Sequence, residues 1–166
     1  MIQKKICLMG AYAVGKTSLV ARYVRSIFTE KYHTTLGVKI DKKIVATAHG
    51  EVMLMIWDLA GEDEFIGVEL DYMRGAAGYL LVADGTRRTS LERAVSLQER
   101  IRERLGPVPF LLLINKVDLE EAWEIQNADI GELSKSGWRI LRTSAKTGQG
   151  VEAAFISLAA SLLPAG

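Results

Sequence analysis

The segment Gly10-Ala11-Tyr12-Ala13-Val14-Gly15-Lys16-Thr17 constrains this chain more than any other part of it. Lys4 to Met9 reads as a strand before it. Lys16 to Ser26 reads as a helix after it, with Leu19, Val20, Tyr23 and Val24 on one face. G-x-x-x-x-G-K-[ST] between a strand and a helix is a pattern with a physical purpose. Glycines at its ends let the backbone turn tightly and approach a ligand without a Cβ in the way. The N–H groups of Ala13, Val14, Gly15, Lys16, Thr17 and Ser18 can then face one concavity, and the helix adds its positive N-terminal end. Such a cradle suits phosphate. Lys16 supplies a compact charge for terminal phosphates, and Thr17 a hydroxyl ligand for Mg²⁺.

The rest of the chain alternates between apolar runs and helical stretches. Val38 to Ala48 and Val52 to Trp57 read as an antiparallel pair turning at His49-Gly50. Phe28 to Gly37 reads as a loop, and Ala60 to Gly75 as a polar loop that becomes helical. Tyr79 to Ala83 and Phe110 to Ile114 are strands of the kind buried on both faces. Ser90 starts a helix as its cap, with Leu91, Ala94, Val95, Leu97, Ile101 and Leu105 on its apolar side, and Gly106-Pro107 stops it. Glu120 to Gly137 reads as helix plus loop, Trp138 to Leu141 as a short strand and Val151 to Leu163 as a closing helix. This alternation predicts an α/β fold, a mostly parallel sheet covered on both faces. A length of 166 residues without repeat or linker predicts one domain.

Three further segments follow predicted strands. Asp58-Leu59-Ala60-Gly61 puts a carboxylate where it can orient a Mg²⁺-bound water, and a glycine whose N–H can reach a terminal phosphate. Alone, D-x-x-G is equally a turn signature. Asn115-Lys116-Val117-Asp118 bears on base selection. The Asp118 carboxylate can accept from guanine N1–H and N2–H together, a donor pair adenine lacks. The Lys116 stem can lie over the base, and Asn115 can bond the base and brace neighbouring loops. In Thr143-Ser144-Ala145-Lys146, the Ala145 N–H can donate to guanine O6 and Ser144 can hold Asp118. In an open parallel sheet, loops after strands gather along one edge, where ligands bind.

In order and spacing, these four segments resemble the Ras superfamily of small GTPases, most of all its Rab branch. Trp57-Asp58-x-Ala60-Gly61, Ser144-Ala145-Lys146 and Arg74-Gly75-Ala76-Ala77-Gly78 carry the likeness, which spans nearly the whole chain. The resemblance implies a P-loop NTPase G-domain: a six-stranded, mostly parallel sheet with one antiparallel strand and about five helices. It implies GTP/GDP and Mg²⁺ as ligands, and Tyr32 to Val38 and Gly61 to Tyr72 as segments that rearrange with the γ-phosphate. Phe28 matches the aromatic beside the guanine. Thr35, in preference to its neighbour Thr34, matches the second hydroxyl ligand of Mg²⁺. Lys16, Thr35, Gly61 and Glu62 match the positions that act in hydrolysis. Trp57 and Tyr72 match two of three aromatics that Rab proteins present to effectors, and Ile40 stands at the third, where ordinary packing is the competing account. Effectors, an exchange factor and a GTPase-activating protein are the implied partners.

Three departures stand out. Glu62 replaces the usual glutamine, which leaves two readings: a slow GTPase, or a GTP-binding recruitment module with negligible hydrolysis. Tyr12 occupies a position where the family mostly has a small residue. The tail, Leu162-Leu163-Pro164-Ala165-Gly166, has no cysteine to prenylate, as a bacterial Rab-like protein or a truncated chain would explain.

Composition excludes other classes. Lys+Arg 21 against Asp+Glu 20 gives a net charge of +1, so no global field recruits nucleic acid. Cys7 is the single cysteine, which excludes an internal disulfide. No apolar run approaches the roughly 18–20 residues of a membrane span. The start, Met-Ile-Gln-Lys-Lys, resembles no signal peptide, and the expected location is cytoplasmic, with membrane recruitment through partners. Arg87-Arg88 and Arg100, Arg102 and Arg104 read as a solvated helix face with Glu92, Glu99 and Glu103. Lys42-Lys43 reads as an exposed edge strand, and Trp123 and Trp138 as packing residues.

Overall fold

A computed structural model describes residues 1–25, 38–59 and 70–164. Along the chain run β1 (Gln3–Gly10), α1 (Lys16–Arg25), β2 (Val38–Thr47), β3 (Gly50–Leu59), β4 (Gly78–Asp84), α2 (Arg88–Leu105), β5 (Phe110–Asn115), α3 (Asn127–Lys135), β6 (Ile140–Arg142) and α4 (Val151–Ser161). A 3₁₀ turn spans Glu120–Ala122, and residues 70–72 are helical. The six strands form one sheet in the order β2-β3-β1-β4-β5-β6. Every pairing is parallel except β2 with β3. The predicted sheet, with its single antiparallel strand at one edge, is the observed one.

Side-chain alternation explains why the sheet is buried on both faces. From β1, Ile6 and Leu8 point to one side and Cys7 and Met9 to the other; β4 and β5 divide in the same way. On the first side, Leu19, Val20 and Tyr23 of α1 and Phe155 and Leu158 of α4 close the core, with the Tyr23 and Phe155 rings stacked at 4.1 Å. On the second, Leu91, Ala94, Leu97 and Ile101 of α2 pack over Leu81, Leu112 and Ile114. These α2 positions are those that helical periodicity selects. Burial pushes the Cys7 thiol up to about 12, so this cysteine behaves as a small apolar core residue.

The structure corrects several boundaries. The β2–β3 turn is Ala48-His49, with Gly50 at φ +117° opening β3 opposite Thr47. Glu120 to Gly137 is a 3₁₀ turn, a connection and the nine-residue α3. The last strand begins at Ile140, not Trp138, whose ring instead packs edge-on against Phe110 at 5.0 Å. Ser90 is not a cap. Helix α2 starts at Arg88, and Ser90 Oγ, inside its first turn, accepts from the Asp84 N–H at 2.8 Å and lies 2.6 Å from the Arg87 carbonyl. Phe28 to Gly37 and most of Ala60 to Gly75 lie outside the described residues, and with them the sequence-predicted Phe28, Thr35, Gly61 and Glu62. Among the described residues no helix is long and apolar enough to cross a membrane.

Candidate nucleotide site

Strand β1 is the switch point of the sheet. The chain returns to β1's one flank as β3 and to its other flank as β4. The crevice at the carboxyl end of such a strand is the usual ligand site of an open α/β sheet. The loops after β1, β5 and β6 and the end of β3 converge there through hydrogen bonds.

The β1–α1 loop is folded back on itself. Lys16, almost wholly buried, donates through Nζ to the Gly10 carbonyl at 2.8 Å, so its ammonium arches over the loop. Gly15 has φ +104°, and a Cβ there would lie 2.3 Å from Asn115 Nδ2. Only glycine allows the loop and the end of β5 to meet this closely. Asn115 Nδ2 donates to the Val14 carbonyl at 3.0 Å, and Lys116 Nζ to the Ala13 carbonyl at 3.1 Å. Ala13 (φ +62°) and Lys116 (φ +72°) are the non-glycine residues at positive φ among the described residues, and they are bonded to each other. Strained backbone of this kind persists only where surrounding contacts over-determine it.

From β5 the network continues to β6. Thr143 Oγ1 donates to Asn115 Oδ1 at 3.1 Å, and the Val117 N–H to the Thr143 carbonyl at 3.0 Å. Ser144 Oγ donates to Asp118 Oδ1 at 2.7 Å and accepts from the Thr147 N–H at 3.0 Å. Asn115, Thr143 and Ser144 are buried, whereas Asp118 is exposed. The carboxylate is thus gripped from behind and presented outward. Ala145 is buried and Lys146 exposed.

At the other end, Thr17 Oγ1 donates to Asp58 Oδ2 at 2.6 Å. Asp58 is 1 % exposed, and its Oδ1 has no hydrogen-bond partner among the described residues. Burial raises the pKa of this carboxyl, while the Thr17 bond and the charges of Lys16 and Lys39 oppose the rise. A hydroxyl and a carboxylate with one unsatisfied buried oxygen are hard oxygen donors of the sort Mg²⁺ takes. Thr17 and Asp58 therefore fit that ion.

Sequence reasoning missed two members of the network. Asp84, at the end of β4, accepts from Lys116 Nζ at 2.8 Å and from the Thr86 N–H and hydroxyl at 2.9 and 2.7 Å. Burial pushes its carboxyl up, but these bonds and the Lys116 charge outweigh burial and hold it below the usual carboxylate range. The rule that located Asp58 and Asn115, a polar residue at the carboxyl end of a buried strand, also fits Asp84. Arg87 is the second. It bonds Asp84 Oδ2 at 3.3 Å and the Tyr12 carbonyl at 2.5 Å. The expected solvated helix face does not describe it, because these partners draw the side chain onto the β1–α1 loop. Its neighbour Arg88 pairs with Asp129 of α3 at 3.0 Å.

Residues 5–163 match the model of the Ras family. The chain is 35% identical over 161 residues to Ras-related protein Rab-13 of Bos taurus, covering 96% of this chain and 79% of that protein. It is 32% identical to Ras-related protein Rab-4 of Dictyostelium discoideum, covering 96% and 78%. Against Ras-related protein RABA4a of Arabidopsis thaliana it is 36% identical over 153 residues, covering 91% and 68%. A match across almost the entire chain, on a sheet of this order, leaves one assignment: the chain belongs to the Ras family, as a Rab-like GTPase that uses GTP, GDP and Mg²⁺.

Proposed function

We propose that this protein is a slowly hydrolysing GTP/GDP switch whose crevice takes the phosphates at Ala13 to Ser18 and the guanine at Asn115, Lys116, Asp118 and Ser144 to Lys146. The observation that carries this reading is the pair of bonds from Asn115 and Lys116 to the Val14 and Ala13 carbonyls. They tie a phosphate-type loop to a loop bearing an outward carboxylate, so one ligand with both a polyphosphate and a two-donor base edge suits them together. Lys16 and the loop N–H groups neutralise phosphate charge. Asp118, held by Ser144, accepts from guanine N1–H and N2–H. Thr17 and Thr35, with Asp58 acting through water, would hold Mg²⁺, which would supply neutralisation of phosphate charge.

Glu62 sets the rate in this reading. A glutamine amide can accept from the attacking water and donate to the phosphate, whereas an ionised Glu62 only accepts and adds negative charge. Gly61 offers its N–H to the γ-phosphate. Tyr12, more than one-third exposed, stands on the loop where a partner's arginine would enter. Effectors would read the nucleotide state at Ile40, Trp57 and Tyr72. Ile40 lies opposite Trp57 in the β2–β3 register, the Trp57 and Tyr72 rings are 6.1 Å apart, and Ile40 and Tyr72 are exposed. An apolar cluster left open to water on a folded surface suits a protein partner. Recruitment from the cytoplasm would then run through such partners.

Single-turnover GTP hydrolysis by the wild type and Glu62→Gln, across roughly pH 6 to 9, tests the reading. The expected result is slow turnover in the wild type, accelerated about tenfold by Glu62→Gln. Loss of all turnover in Glu62→Gln would make Glu62 the general base. Undetectable hydrolysis in both would make the protein a recruitment module that works by occupancy alone.

A further inference from the structure

Arg22 lies outside every motif that bears on the nucleotide, on the second turn of α1 beyond Lys16 and Thr17. Its side chain crosses to the loop after β6. Nε donates to the Ala145 carbonyl at 2.7 Å, and Nη2 to the Lys146 carbonyl. One planar guanidinium thereby grips two consecutive peptide oxygens, a geometry that lysine cannot reproduce. These two contacts join residues more than 120 positions apart in sequence.

The consequence follows from peptide geometry. In a trans peptide the C=O and N–H point in opposite directions. No cis peptide occurs among the described residues. Anchoring the Ala145 oxygen to α1 therefore aims the N–H of the same peptide unit, that of Lys146, away from α1. Three further bonds within this loop are local. The Ser144 N–H meets the Gln149 carbonyl at 2.9 Å, the Gly148 N–H meets the Ser144 carbonyl at 2.8 Å, and the Thr147 N–H meets Ser144 Oγ. They close the turn on itself. Arg22 fixes that turn relative to the helix whose first residues are Lys16 and Thr17.

We propose that Arg22 is a positioning residue for base recognition, which orients the Lys146 amide toward guanine O6 and couples the base loop to the phosphate end of α1. This rests on the guanine-site reading above. Helix α1 then serves both ends of the nucleotide. Its first turn meets the phosphates, and its second turn holds the loop that meets the base.

The test measures release of GDP, ADP and 6-thioguanosine diphosphate from the full chain, in Mg²⁺, for wild type, Arg22→Ala and Arg22→Lys. Sulfur at position 6 is a poor acceptor, so the thio analogue lacks most of the contact that Arg22 positions and keeps the donors that Asp118 accepts. Arg22→Ala should release GDP about tenfold faster, the scale of one well-made hydrogen bond, and the thio analogue less than about threefold faster. Arg22→Lys, which keeps the charge and stem, should show the same selective loss. It serves as the test if Arg22→Ala does not fold. Equal acceleration of both nucleotides, or of neither, would overturn the proposal while leaving the guanine site intact. A wild type that holds ADP as well as GDP would instead overturn the guanine reading itself, and this inference with it.

Discussion

At the scale of single residues, the crevice depends on buried polar atoms bonded across loops. Asn115 donates to Val14 and accepts from Thr143, and it is 1 % exposed. Asn115→Ala strands a buried carbonyl and a buried hydroxyl, each costing about 1–3 kcal/mol. The expected outcome is a lower urea midpoint in the GDP-bound protein together with faster GDP release; an unchanged midpoint would show that the two loops hold each other by other means. Thr17→Asn should weaken Mg²⁺ binding and lower GTP affinity more than GDP affinity, because an amide is a bulkier and poorer ligand than a hydroxyl. Titration of Mg²⁺ against each nucleotide complex reads this directly, and equal losses would contradict it. These residues were legible in the sequence because phosphate and guanine chemistry restrict which side chains can stand at each spacing. Asp84, Arg87 and Arg22 were not legible as site residues. Their parts depend on which carbonyl each long side chain reaches, and that follows from the fold rather than from spacing.

At the scale of elements, the strands were easier to read than the connections between them. A strand buried on both faces needs apolar side chains at consecutive positions, which marks β4 and β5 in the sequence. The segment after β5 gives no such mark. Its position is set by Trp123, whose ring lies where a Gly85 Cβ would be, 2.0 Å away, while the Glu124 N–H meets the Gly85 carbonyl at 2.8 Å. The link fastens the chain beyond Asp118 to the end of β4, beside Asp84. Gly85→Ala should push the indole out and cost about 1–3 kcal/mol, the range of overpacked cores. Urea unfolding followed by tryptophan emission checks this, with a lower midpoint and red-shifted native emission expected; unchanged values would mean that Trp123 moves aside freely. Ser90 carries a related lesson. A serine before an apolar helical run looks like a cap, but this one is consumed by the backbone of Asp84 and Arg87, which joins α2 to β4.

At the scale of the molecule, the network that shapes the crevice also makes stability depend on pH. Asp84 is held below its ordinary value of 3.8 in the folded state, after burial is outweighed by Lys116 and Thr86. A depressed carboxylate contributes stability that is present above the unfolded value and is lost as pH falls through the folded one. Asp84→Asn should therefore be less stable than wild type at neutral pH, with the gap closing in acid below about pH 4. Denaturant midpoints across that range read the difference, and a gap constant with pH would contradict the ion-pair account. The whole architecture brings the loops after β1, β5 and β6 and the end of β3 to one edge, and in the guanine reading this edge selects the base. Competition of GDP, ADP and XDP for the nucleotide-free protein and for Asp118→Asn reads this selectivity. The wild type should prefer GDP over ADP by about 10⁴-fold or more, as for a site whose polar groups match one ligand and are left unpaired by another. Asp118→Asn should lose GDP affinity and gain affinity for XDP, whose carbonyl replaces the amine that Asp118 accepts from. Equal affinity of the wild type for GDP and ADP, or an Asp118→Asn variant that still prefers GDP to XDP, would contradict the account.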